Sequence, residues 1–205
     1  MYQLLLYLAV GSAVIRSAWL LVGLVRVIPV HMRARTRRWG LAEVLAFLEL
    51  PVLLALTCTL VLRPLPSPTG SPTGSTASVF AAAVGAMLAL AGLFVSLWAI
   101  STTVRRRVIL DAGHFVKEEH PLLTRGAYGF VRNPMYLGVI LTWFGLATAF
   151  QNVPLLLFSA GYVTPVYWFY IRAEERMMSS EFGVQFEEYT RCVGRLFPRW
   201  RRGAA

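Results

Sequence analysis

The apolar residues of this chain fall into long, nearly unbroken runs separated by short polar or basic stretches. Read as helices, the runs predict five spans at about residues 2–27, 41–62, 79–100, 135–150 and 153–171. Crossing about 30 Å of hydrocarbon at about 1.5 Å per residue takes roughly 20 residues. The last two runs sit near the lower limit, and only Gln151 and Asn152 part them, so a tight helical hairpin is expected. Pro29 is expected to end the first run ahead of a basic loop at 31–38. Between the second and third runs, residues 64–76 repeat Ser-Pro-Thr-Gly, a composition that buries little apolar surface and predicts a flexible loop. Gly85, Ala89 and Gly92 share one face of the third run, which lets a neighbouring helix approach closely.

After the last run the pattern changes. From Arg172 onward, Met178, Phe182, Phe186, Tyr189 and Val193 form an apolar stripe at helical spacing, with Glu181, Glu187, Glu188 and Arg191 off it. Alternating ten-residue strands are absent, which argues against an outer-membrane barrel. The expected fold is an all-α integral membrane protein of about five transmembrane helices, closing on a hairpin and a cytoplasmic amphipathic segment. Residues 1–110 would carry the first three helices and their basic loops. Residues 111–205 would carry a core with the hairpin and the C-terminal segment.

Composition agrees: 57% of the 205 residues are hydrophobic and 15% are charged, where a soluble domain carries about a quarter charged. A formal net charge of +10 would suit nucleic acid, but the arginines lie in the short segments between apolar runs. That is the distribution of cytoplasmic loops on anionic lipid, so the expected partner is the bilayer and not nucleic acid. The 31–38 loop, the segment after the third run and the tail are basic, whereas Gln151–Asn152 carries no charge. The N-terminus is therefore expected outside and the C-terminus in the cytoplasm, in a plasma or inner membrane. The first run has no basic n-region before it and no small-residue cleavage site after it, so it reads as a retained span. Cys58 and Cys192 form no CxxC pair and no His/Cys cluster, so neither a disulfide framework nor a metal site is expected. Arg16 and Glu49 fall within apolar runs and are expected to pair, since a lone charge at that depth is costly.

Polar chemistry concentrates in two places. One is His120-Pro-Leu-Leu-Thr-Arg-Gly-Ala-Tyr-Gly-Phe-Val-Arg-Asn-Pro-Met-Tyr-Leu-Gly138. Asn133 is a good N-cap for a helix opening at Pro134, whose first N–H groups, with Arg132 beside them, suit an anionic ligand group. Tyr128 and Tyr136 offer aromatic faces to a cation. The other is Arg172-Ala-Glu174-Glu175 at the cytoplasmic end of the last span, where adjacent carboxylates suit a cation or amino group. A capped helix start with interfacial tyrosines, and a solvated helix end, are the plainer alternatives. Both clusters fall at one membrane face, at the start and finish of the hairpin.

Taken together, His120, Leu122, Leu123, Thr124, Gly126, Tyr128, Arg132, Pro134, Tyr136 and Gly138, then Glu174, Glu175, Phe182, Gly183, Phe186 and Tyr189, form an ordered pattern. It resembles the core of the isoprenylcysteine carboxyl methyltransferase family and its phospholipid and thiol methyltransferase relatives, across about half the chain. The resemblance implies an S-adenosylmethionine-dependent methyltransferase acting on a lipophilic acceptor. It implies cofactor contacts from His120, Pro121, Leu122, Leu123, Tyr128, Asn133, Pro134, Met135, Tyr136 and Glu174, with Arg172 and Glu175 as catalytic residues. Two positions depart from the pattern: Asn133 replaces a histidine, and Tyr170 stands where the carboxyl methyltransferases carry a substrate-handling arginine. An isoprenylcysteine-type carboxylate, a phospholipid amine and a small thiol therefore all stand as acceptors. A non-enzymatic transporter or assembly subunit is the competing class, although no inverted repeat accompanies the spans.

Overall fold

The computed structural model describes residues 1–33, 75–105 and 122–199; the regular elements among these are helices, with non-helical stretches at 122–126, 131–133 and 193–199. The helices are α1 (Tyr2–Arg33), α2 (Thr76–Arg105), the single turn α3 (Ala127–Phe130), α4 (Pro134–Ala149), α5 (Val153–Phe158), α6 (Thr164–Phe182) and α7 (Val184–Cys192). A π-helical turn, Ser159–Val163, joins α5 to α6 without a break. Pro165 accounts for it: a proline has no N–H and crowds the carbonyl four residues back, that of Gly161. The helix widens there, and the Thr164 hydroxyl donates to the Ser159 carbonyl at 2.9 Å.

Two of these helical stretches are long and apolar enough to cross a membrane. They are Thr76–Thr103, with mean hydropathy 2.3, and Val153–Phe182, with mean hydropathy 1.2; Tyr2–Arg16 and Pro134–Ala149 are shorter apolar helices. The expected second span, 41–62, and the 64–74 part of the repeat-bearing loop lie outside the described residues, as does Glu49.

Small residues make the central contact. Along α2, Gly85, Ala89, Gly92 and Ser96 face Gly138, Thr142, Gly145 and Ala149 of α4. A Cβ placed on Gly145 would come within 2.5 Å of the Ala89 backbone nitrogen, and one on Gly92 within 2.6 Å of the Gly138 carbonyl. Backbone meets backbone along this seam because the glycines carry no side chain there and the other positions carry only small ones, Ala89, Ser96, Thr142 and Ala149. Against it α1 contributes Leu6, Ala9 and Ala13, which pack with Ala82, Ala86, Ala89, Leu146 and Ala149. Arg16, 4% exposed, donates to the Val139 carbonyl at 3.3 Å.

Three details depart from the expected boundaries. α1 runs through Pro29 to Arg33, so residues 31–33 are helical; a proline removes one backbone bond and need not end a helix with an apolar body behind it. The last span continues past Ile171 to Phe182, so Arg172–Phe182 extends that helix rather than opening a separate element. The break comes at Gly183, whose φ of 51° favours glycine. The apolar stripe is thus one cluster on two helices: Phe186, Tyr189 and Val193 are buried together, with Met178, Phe182 and Leu122 against them.

Candidate functional site

Three segments meet at one end of the bundle: the turn before α4, the middle of α6, and the strap at 193–199 that follows α7. The strap lies along the first segment. Val131 and Gly194 form an isolated parallel bridge, the Arg132 N–H donates to the Gly194 carbonyl at 2.8 Å, and the Asn133 N–H donates to Arg195 at 3.1 Å. α7 is tied to the same turn, since the Tyr189 hydroxyl donates to the Tyr128 carbonyl at 2.6 Å. Burial holds the Tyr189 hydroxyl above its ordinary titration range. Burial, then the nearby Glu174 carboxylate, does the same for Tyr128.

Glu174 and Glu175 are neighbours on α6, and consecutive residues on a helix point about 100° apart, so they enter different surroundings. Glu175 is enclosed by donors. Its Oε1 accepts from Arg132 Nε at 3.0 Å and Asn133 Nδ2 at 3.3 Å, and its Oε2 from Arg195 Nε at 2.8 Å and Nη2 at 2.6 Å. The Arg132 and Glu175 side chains are only 9% and 13% exposed. Arg132 Nη1 also donates to the Thr190 and Val193 carbonyls, at 3.1 and 2.6 Å, and the Arg195 guanidinium lies 4.9 Å over the Trp168 ring.

Glu174 meets a different group. Its Oε2 accepts a 2.8 Å hydrogen bond from the Tyr136 hydroxyl, and among the described residues no cationic side chain pairs with it. The Tyr136 ring sits 5.5 Å from Tyr167 and 5.4 Å, edge-on, from Tyr170. A carboxylate beside three aromatic rings has the chemistry of a site for an organic cation.

The structure therefore brings Tyr136 to Glu174 and Asn133 to Glu175. Pro134 is buried at the start of α4, Met135 and Leu123 are half-buried, and Leu122 packs on the α7 cluster. His120 and Pro121 lie outside the described residues. Arg172 is exposed and makes no hydrogen bond or ion pair with the cluster. Asn133 occupies the N-cap position, but its side chain makes no capping bond. Its amide is turned instead to Glu175 and the Arg195 carbonyl. Likewise Arg132 is spent on Glu175 and two carbonyls rather than held beside the helix start for a ligand. Arg195 was hidden in the sequence because a clustered arginine in a basic tail looks like any other. Tyr167 and Trp168 were hidden because aromatic residues near a span's end read as interfacial.

The family model for phospholipid methyltransferase matches residues 80–185, just over half of the chain, and takes in both the Tyr136 turn and the glutamate pair. Methanethiol S-methyltransferase 1 of Bradyrhizobium diazoefficiens is 41% identical over 76 residues, covering 37% of this chain. The matched region spans 25% of that relative's length. No solved structure matches the chain.

Proposed function

Since the chain belongs to the phospholipid methyltransferase family, we propose that it is a membrane methyltransferase that takes its methyl group from S-adenosylmethionine and delivers it to a lipophilic acceptor. The observation that carries the reading is the contrast within the glutamate pair. Glu175 is paired with two guanidinium groups, while Glu174 meets the Tyr136 hydroxyl beside the Tyr167 and Tyr170 rings and, among the described residues, no cationic side chain.

The residues fit the cofactor's charges. Glu174 would hold its ammonium group, the faces of Tyr136 and its aromatic neighbours its sulfonium, and the uncapped first turn of α4 its carboxylate. When bound, S-adenosylmethionine supplies an activated methyl group for in-line displacement. The chain's own part is to orient and to exclude water. Tyr136 fixes the Glu174 carboxylate, and the 193–199 strap covers the turn before α4 from the side of α7. Positioning of this kind removes much of the entropic cost of bringing two reactants together, and no side chain is required as a covalent nucleophile.

The acceptor is assigned by class: a lipid-soluble amine or thiol reaching the site from the bilayer. The Bradyrhizobium relative is named for a thiol acceptor, and Tyr170 supplies no positive charge for a carboxylate. We assign the chain five spans, with the N-terminus outside and the C-terminus cytoplasmic, from the arginine-rich 33–38 segment and the uncharged Gln151–Asn152 turn. Reporters fused after Ala205 and within 67–75 should report opposite sides of the membrane. The deciding experiment binds radiolabelled S-adenosylmethionine to the purified protein and then follows the label into phospholipid extract and into alkyl thiols. Binding with transfer to either class supports the reading. A folded protein that binds no cofactor would end it.

A further inference from the structure

We propose that Glu175 is a positioning residue for this methyl transfer, one that meets neither cofactor nor acceptor but latches the strap and the start of α4 onto α6. The inference rests on the methyl-transfer reading above and refines which of its two carboxylates faces ligand. A carboxylate has about four lone-pair sites. Those of Glu175 receive four donors: Arg132 Nε, Asn133 Nδ2, and Arg195 Nε and Nη2. No accepting capacity is left for a bound group. Glu174 has one donor, the Tyr136 hydroxyl.

The latch sets the geometry of that second pair. Arg132 and Asn133 immediately precede α4, and Tyr136 follows within its first turn. The Tyr136 ring itself packs on Tyr167 and Tyr170 of α6, and the bonds from Glu175 to Arg132 and Asn133 hold the start of α4 in the register that sets Tyr136 against Glu174. Arg195 brings in the strap, and it is itself held by the Trp168 face and by the Asn133 N–H on its carbonyl. Without the Glu175 charge, the Arg132 and Arg195 guanidinium groups would face one another with nothing between them. An amide at Asn133 suits this place, since it donates to Glu175 without adding a third positive charge.

The test uses the full chain in detergent micelles. Cofactor affinity is measured by calorimetry, initial rates against cofactor concentration, and hydrogen exchange across 131–134. Glu175→Gln and Arg195→Gln should each weaken S-adenosylmethionine binding by about tenfold, as loss of a charge-assisted bond does. The double variant should be no weaker than either, because both changes open one latch. The loss should appear in KM for the cofactor more than in kcat, and Arg195→Lys should recover much of it. Exchange at the Arg132 and Asn133 amides should quicken in both single variants. Wild-type affinity in Arg195→Gln beside abolished binding in Glu175→Gln would overturn the proposal, as would additive losses or a fall confined to kcat. Should Glu175→Gln fail to fold, Arg195→Gln against Arg195→Lys carries the comparison. If the wild-type protein bound no cofactor, the methyl-transfer reading would fall. Exchange alone would then judge the latch, with unchanged rates in Arg195→Gln overturning it.

Discussion

The Tyr136 hydroxyl donates to Oε2 of Glu174 across 2.8 Å, joining the first turn of α4 to the middle of α6. The bond holds the carboxyl group in one orientation, set to carry its negative charge when a cation is bound. Replacing Glu174 with glutamine keeps the size and an acceptor for Tyr136 but removes that charge. A hydrogen bond to a charged group is worth about 1.5–3 kcal/mol, so affinity for S-adenosylmethionine should fall roughly ten- to a hundredfold. Tyr136→Phe should cost less, since the Glu174 carboxyl group is still there to meet the cation. Glu187→Gln, on the exposed side of α7, should change nothing. Calorimetry on folded variants decides it, and an unaltered Glu174→Gln would remove the site assignment.

The seam between α2 and α4 tolerates no added methyl group. A Cβ on Gly145 would lie 2.5 Å from the Ala89 nitrogen and 2.7 Å from the Gly85 carbonyl, both backbone atoms that cannot rotate away. Gly145→Ala should therefore destabilise the protein by about 1–3 kcal/mol, the usual cost of overpacking. Gly11→Ala and Gly161→Ala meet nothing within 4 Å. They should be neutral or stabilising, by up to about 1 kcal/mol of helix propensity. Thermal unfolding of the three variants in one detergent separates the two cases.

The turn from α4 into α5 rests on two side chains of opposite character. Gln151 has a φ of 48°, left-handed backbone that costs a residue with a Cβ about 1–2 kcal/mol. Gln151→Gly should raise the melting temperature. Asn152 caps α5 by accepting from the Leu155 N–H at 2.8 Å, and Asn152→Ala should lower stability by about 1 kcal/mol. Equal melting temperatures for the two variants would contradict both assignments.

Alkaline titration should expose Tyr128 and Tyr189, whose hydroxyls burial holds above their ordinary value of 10.0. Above pH 10 the unfolded chain releases both protons and the folded chain keeps them, so stability falls as pH rises past that point. Below it nothing is lost. Tyr189→Phe forfeits the bond to the Tyr128 carbonyl, costing about 1 kcal/mol near neutrality, yet should show a shallower alkaline decline. Melting curves between pH 8 and 11, a range that brackets the unfolded tyrosine's ionisation at about 10, with tyrosinate absorbance followed in parallel, would show it.

Much of this was legible from residue order. Long apolar runs announced helices, and the small residues at Gly85, Ala89 and Gly92 announced a close neighbour before α4 was known to be it. The spacing of Phe186, Tyr189 and Val193 announced a buried face. Asn133 and Glu175 were singled out, but the sequence could not say that they bind one another, because their pairing depends on how 42 residues of hairpin fold back. Arg195 lay deeper still. Its role comes from stacking on Trp168 and reaching across to α6, contacts that a run of arginines near a helix end does not encode. The end of α6 was misplaced because apolar content falls at Arg172 while the backbone has no reason to stop before Gly183.

The bonds that complete the site reach back some sixty residues, from Tyr189 to Tyr128 and from Val193 to Arg132. A ribosome adding roughly 5–20 residues per second would need about 3–12 s to cover that distance. From the moment Ala149 has been added, for about the last two-thirds of this interval, α2 and α4 can pair, since the whole of their seam has then been synthesised. The growing chain would thus settle into the lipid while its glutamate pair is still uncovered, and ligand competence would arrive last, with the strap.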